Sequence, residues 1–169
     1  MAPLETTDKV RILFVCLGNI CRSPAAQGVM QRLIDECGLT EDFELDSAGL
    51  YGGHAGEMPD NRMRIHARRR GLELTHRSRK VSESDFDDFD IIVAMDDSNF
   101  DGLRRLAPTP DDEKKIVRMA DFFTLHPWMD CVPDPYYEGA EGFEKALDLI
   151  EDGCRTLLER IRKEGKWLE

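Results

Sequence analysis

Residues 15–24 read VCLGNICRSP, which sets a thiol, a guanidinium and a hydroxyl (Cys16, Arg22, Ser23) within one short loop. Gly18 and Asn19 tolerate the left-handed backbone that a tight loop needs; Leu17, Ile20 and Cys21 complete it. A loop of this kind turns successive N–H groups inward and forms a nest for an anion. A helix starting beside it adds its positive dipole end and its free N–H groups. Thiols at helix N-termini or beside arginine ionise more readily than free cysteine. The planar fork of an arginine matches two phosphate oxygens at once. These residue types point to a cysteine nucleophile acting on a phosphate or similar oxyanion held in the loop.

The bare Cys-x5-Arg spacing is weak, because Cys154 and Arg160 repeat it inside a helical pattern with no glycine. Cys154 and Cys37 are therefore expected to be packing cysteines, and the setting of Cys16 carries the inference. A thiolate that attacks phosphorus also needs an acid for the departing oxygen. The candidate is Asp134 in VPDPYYEG, held between Pro133 and Pro135, which keep the backbone stiff and extended.

The elements around these residues alternate. Arg11–Val15 reads as a short, apolar, β-rich strand, Phe43–Leu45 as a second ended by DSAG, Asp90–Met95 as a third with a continuous apolar run, and Lys115–Met119 as a fourth. Pro24–Glu36 reads as a helix with Ser23 as N-cap and proline at its first position. Asp60–Arg70 is a helical pattern closed by Gly71, and Asp97–Leu106 is another. Phe143, Leu147, Ile150, Cys154, Leu157 and Ile161 recur at helical spacing and predict one long amphipathic helix. Strands alternating with helices indicate an α/β domain with a parallel sheet, in which ligands bind beyond the carboxyl ends of the strands. The chain, 1–169, is read as one domain, with residues 1–9 a flexible N-terminus.

Bulk composition narrows the class. A net charge of −11 argues against nucleic acid as a partner. The polar first nine residues lack a signal-peptide core, and no uncharged apolar run approaches the roughly 20 residues that span a bilayer. No membrane association and a cytoplasmic location are expected. Five cysteines, with no C-x-x-C pair, predict reduced thiols rather than a disulfide scaffold or a zinc site. One basic run stands out: Arg62 to Lys80 carries eight Arg or Lys against the single acid Glu73. It is read as a solvated helix face and loop, with a positive rim for an anionic substrate as the sharper alternative.

Taken together, VCLGNICRSP, DSAG at 46–49, MDDSN at 95–99 and DPYY at 134–137 resemble the low-molecular-weight protein tyrosine phosphatases over essentially the whole chain. The resemblance implies a three-layer, flavodoxin-like α/β fold with a four-stranded parallel sheet and helices on both faces. It implies hydrolysis of phosphotyrosine in proteins or peptides, with no metal or other cofactor, through a phosphocysteine intermediate. Cys16 would be the nucleophile, Arg22 the phosphate clamp and Asp134 the general acid and then base. Ser23 would stabilise the sulfur as thiolate. Asn19, Ser47 and His76 match the supporting network that holds the loop. By the same resemblance Cys16 and Cys21 form a protective disulfide under oxidation, and Tyr136 and Tyr137 line the substrate entrance.

One position departs from the pattern. Six residues after Ser47 the family commonly places an aromatic that walls the cleft; here it is Gly53, followed by His54. Tyr51 is the compensating candidate. FFTLHPW, 122–128, is read as core packing, with a replacement wall as the alternative. Related readings are a protein-arginine phosphatase, set against Ile20 and the tyrosine pair, and a thiol-dependent arsenate reductase, set against the lack of cysteine between Cys37 and Cys131. A non-catalytic phosphate-binding module and a redox sensor complete the alternatives.

Overall fold

The structure, a computed structural model, describes residues 8–164; of the N-terminal stretch expected to be flexible, residues 1–7 lie outside the described residues. The elements follow in the order β1 (Val10–Cys16), α1 (Arg22–Glu36), β2 (Phe43–Gly49), α2 (Asn61–Arg68), α3 (Asp85–Asp88), β3 (Ile91–Ala94), α4 (Asp97–Leu106), α5 (Pro110–Glu113), β4 (Ile116–Arg118) and α6 (Ala140–Glu164). Single 3-10 turns sit at Thr40–Asp42, Met119–Phe122 and Pro135–Tyr137.

Alternation along β1 builds both sides of the sheet. Ile12, Phe14 and Cys16 face one core with α1, α2 and α6, while Leu13 and Val15 face the other with Phe86 and Leu103. A strand covered on both faces reads as a continuous apolar run, as RILFV does. Within α6, Phe143, Leu147, Ile150, Cys154, Leu157 and Ile161 are all buried against the first core, so the helical spacing in the sequence marks the face that packs. Phe14 is wholly buried there, and truncating such a ring to alanine costs about 3–5 kcal/mol.

All four strands run parallel, in the order β2-β1-β3-β4, as expected for the three-layer α/β fold. The order reverses between β1 and β3, so a crevice opens at their carboxyl ends. Cys16 ends β1 and Asp96 follows β3 at that crevice. Beyond Leu45, the predicted end of β2, the strand runs on to Gly49 because each residue pairs with β1, the last with Cys16.

The expected N-cap of α1 needs correcting. The cap position is Cys21, with no side-chain cap, and the Ser23 hydroxyl lies against the Cys16 sulfur instead. The α2 helix begins one residue later than expected because Asp60 is its cap, accepting from Arg62 N at 2.8 Å; Gly71 follows at φ +84. The FFTLHPW segment divides. Phe122 and Phe123 pack in the core, whereas Leu125 and Trp128 are exposed and stand outside the cleft described below. The buried Asp152 carboxylate holds this loop through the Thr124, Leu125 and His126 amides. No helix among the described residues is long and apolar enough to cross a membrane.

Candidate active site

The loop after β1 is fixed from several directions. Asn19 takes φ 58, the left-handed region its side chain tolerates. Leu50 N and Tyr51 N donate to the carbonyls of Cys16 and Leu17, and Asp60 N donates to that of Ile20 at 2.7 Å. The Ser78 hydroxyl donates to Gly18 O at 3.2 Å. Gly49, which ends DSAG, comes so close that a β-carbon there would lie 2.8 Å from Leu17 O and 3.0 Å from Asn19 N. Only glycine lets β2 support the loop at that distance.

The loop converges on one sulfur. Cys16 Sγ accepts from Asn19 N at 3.3 Å and Ser23 N at 3.4 Å, and Ser23 Oγ lies 3.0 Å away. Behind it, Asn19 Nδ2 donates to Ser23 Oγ at 2.8 Å and to Ser47 Oγ at 3.0 Å. Asn19 Oδ1 accepts from Arg79 N at 2.9 Å and pairs with His76 Nε2 at 3.0 Å. Asn19, Ser23 and Ser47 are buried, so this network lies beneath the cleft. Polar groups at such depth are costly unless each finds a partner.

Arg22 is almost fully buried and still charged. Its Nη1 donates to Asp96 Oδ2 at 2.7 Å and to Val132 O at 2.8 Å, and Nη2 lies 3.7 Å from Asp134 Oδ2. Burial works against the charge, but the Cys16 sulfur, Asp96 and Asp134 raise the guanidinium above its ordinary value. Asp134 Oδ1 accepts from Tyr136 N at 3.1 Å, which aims the rest of the carboxyl at the cleft. Cys21 is different. Burial, with Asp60 and Cys16 beside it, pushes its thiol far up, so it stays neutral. Burial does the same to Cys154, which sits wholly in the core, whereas Cys37, expected to pack likewise, is exposed just beyond the end of α1.

Cys16, Leu17, Gly18, Ile20, Cys21 and Arg22 form the floor of a cleft of about 230 Å³, with Asp134 at its edge and Tyr51, His54, Tyr136 and Tyr137 as walls. Tyr136 and Tyr137 meet edge to face at 4.9 Å, as do Tyr51 and His54 at 5.8 Å. Arg62 lies over the Tyr136 ring at 5.2 Å and is clamped by Asp60. The basic run is therefore not a free positive rim throughout. Arg62 pairs with Asp60, Arg68 with Glu73, Arg79 with Asp46 and Asp85, and Arg70 with Glu144, Asp148 and Glu151. Among the described residues no group of three or more His, Cys, Asp or Glu is placed to hold a metal ion.

Each residue proposed from the sequence lies in this cleft or directly beneath it. Sequence reasoning missed Asp96, Gln27, Asp46 and Arg79. Asp96 carried a signal, an aspartate at the end of a predicted strand before a helix, and it does cap α4 by accepting from Asn99 N at 2.7 Å. Its other oxygen on Arg22 bridges 74 residues, which no local pattern reveals.

A family model described as "Low molecular weight phosphotyrosine protein phosphatase" matches residues 11–167. A low molecular weight protein-tyrosine-phosphatase of Bacillus subtilis is 42% identical over 156 residues, covering 92% of this chain and 97% of the relative. A protein tyrosine phosphatase of Entamoeba histolytica, solved with Hepes in its active site, superposes with a TM-score of 0.90 at 43% identity, over 93% of this chain and 99% of the other. The Drosophila arginine phosphatase superposes at 0.83 with 34% identity, over 89% and 97%.

Proposed function

The chain belongs to the low molecular weight phosphotyrosine protein phosphatase family, and from that footing we propose that it hydrolyses phosphotyrosine in proteins through a phosphocysteine intermediate. The observation that carries the reading is the convergence of two backbone amides and the Ser23 hydroxyl on Cys16 Sγ, with Arg22 and Asp134 at the same cleft.

In the first step the Cys16 thiolate forms a bond to phosphorus as the bond to the tyrosyl oxygen breaks. Arg22 and the loop amides hold the equatorial oxygens, where charge develops. Asp134 gives its proton to the departing oxygen. In the second step its carboxylate takes a proton from water, which attacks phosphorus and releases the thiolate. Ser23 donates to the sulfur and makes it a better leaving group. Asn19, Ser47 and His76 hold the loop in shape. Tyr51, Tyr136 and Tyr137 flank the phenyl ring of the substrate. Cys16 and Cys21, both free thiols here, are the pair that oxidation would join to protect the nucleophile.

Arginine dephosphorylation is the second reading, favoured by the likeness to the Drosophila arginine phosphatase. Ile20 and the aromatic walls favour an aryl ring over a guanidinium.

The deciding experiment is phosphate release from a phosphotyrosine peptide with chelator present, comparing the intact chain with Cys16→Ser, beside a phosphoarginine peptide. Release that survives Cys16→Ser removes the mechanism. Release from phosphoarginine alone moves the reading to the second substrate.

A further inference from the structure

One residue on α1 touches the network beneath the loop and belongs to no role described above. Ser47 Oγ donates to Gln27 Oε1 at 2.7 Å. The consequence follows from counting protons along the chain of contacts.

Arg79 N is a backbone N–H and has only a proton to give, so the Asn19 atom that meets it at 2.9 Å is the oxygen. Asn19 Nδ2 must then face the serines, and it spends one N–H on Ser23 Oγ and the other on Ser47 Oγ. Both hydroxyls accept from Asn19, and each has one proton left. For Ser47 the acceptor in reach is Gln27 Oε1. For Ser23 it is the Cys16 sulfur at 3.0 Å, with Ala48 O farther off at 3.5 Å. Each serine proton thus has one nearest acceptor, Gln27 Oε1 for Ser47 and the Cys16 sulfur for Ser23.

We propose that Gln27 is a positioning residue for the nucleophile: by taking the Ser47 proton it locks Asn19, and through Asn19 it keeps the Ser23 proton on the Cys16 sulfur. The proposal rests on the reading of Cys16 as the thiolate nucleophile. Ser47 is fully buried, so without Gln27 its proton has no water to turn to. It recovers a partner only by rotating away from Asn19. Asn19 then loosens, and Ser23 is free to swing toward Ala48 O.

The test is a double-mutant cycle read by alkylation. Iodoacetate modification of the peptide containing Cys16 is followed by mass at one neutral pH for the intact chain, Gln27→Leu, Ser47→Ala and the double variant. Gln27→Leu should slow modification of Cys16 by roughly tenfold, the scale of one weakened hydrogen bond to a charged group. In the Ser47→Ala background the same change should add nothing, since no proton remains for Gln27 to take. Losses that multiply overturn the proposal. So does a Gln27→Leu chain that melts earlier yet alkylates at the original rate, which would mark a purely structural residue. Gln27→Ala takes its place in the cycle if the leucine variant does not fold. Alkylation needs no phosphoryl transfer, so a chain that completes the cycle as expected but leaves phosphotyrosine intact overturns the proposed function alone.

Discussion

The phenol of Tyr51 occupies the space that a side chain on Gly53 would need: a β-carbon built there lies 2.1 Å from both Tyr51 Cζ and Oη. On the proposed function Tyr51 stands in, from two residues earlier in the chain, for the aromatic that position 53 lacks, and the glycine is the condition for it. Tyr51 is 56% exposed, so a β-carbon at 53 would push the ring aside rather than break the fold. Gly53→Ala and Tyr51→Ala should each raise KM for an aryl phosphate by roughly threefold to tenfold, the worth of one aromatic contact. Steady-state kinetics should show kcat nearly unchanged. A drop in kcat with KM intact would take Tyr51 out of the substrate wall.

Asp96 holds one nitrogen of Arg22 at 2.7 Å and caps α4 with its other oxygen. Removing a partner from a buried, charged hydrogen bond costs about 1.5–3 kcal/mol. Asp96→Ala should therefore lower kcat/KM by roughly 10-fold to 100-fold and weaken vanadate binding alongside. Asp96→Asn keeps the cap and should recover helix stability, but not the full oxyanion affinity.

Asp134 Oδ2 stands 3.7 Å from Arg22, and its side chain is 40% exposed, open to both substrate and water. Asp134→Asn should reduce turnover of phenyl phosphate by roughly 100-fold. A substrate whose leaving group needs no proton should lose only a few-fold. Equal losses on the two substrates would remove Asp134 from the acid role.

His76 gives a pH signature. Burial lowers its pKa below the ordinary 6.5, Asp46 opposes that, and Arg79 adds to it. Between the folded value and 6.5 the unfolded chain binds the extra proton, so stability rises with pH across that window and is lost as pH falls below 6.5. Urea midpoints taken from pH 7.5 downward should decline from about 6.5 in the intact chain. His76→Gln, which keeps an N–H for Asn19, should flatten that part of the curve. An unchanged slope would assign the decline to the carboxylates.

The parts legible in the sequence were those written in local pattern. RILFV, the asparagine of the loop and the α6 spacing each encode geometry within a few residues, and each matches an element of the structure, whereas Gly18 does not take the left-handed backbone and α1 begins at Arg22, two residues before Pro24. The chemistry of Cys16, Arg22 and Asp134 was legible because residue type constrains it. What sequence hid were pairings across the sheet. Asp96 on Arg22, Gln27 on Ser47 and Arg79 between Asp46 and Asp85 join elements that periodicity treats separately. Ser23 misled because a serine before proline at a helix start is ordinarily a cap, and here its hydroxyl serves a sulfur.

Distance along the chain also gives the cleft a timetable. The loop that carries Cys16 follows the first strand, yet that strand lies between two later ones, and the residues holding the loop arrive as late as Asp134. Contacts across such separations form only after long loops close, which makes parallel sheets slow to mature. A chain that ends before Asp134 lacks the carboxylate that faces Arg22 across the cleft. Return of the native alkylation rate of Cys16 during refolding would therefore clock the docking of the segment that carries Asp134, and not the pairing of the first strands.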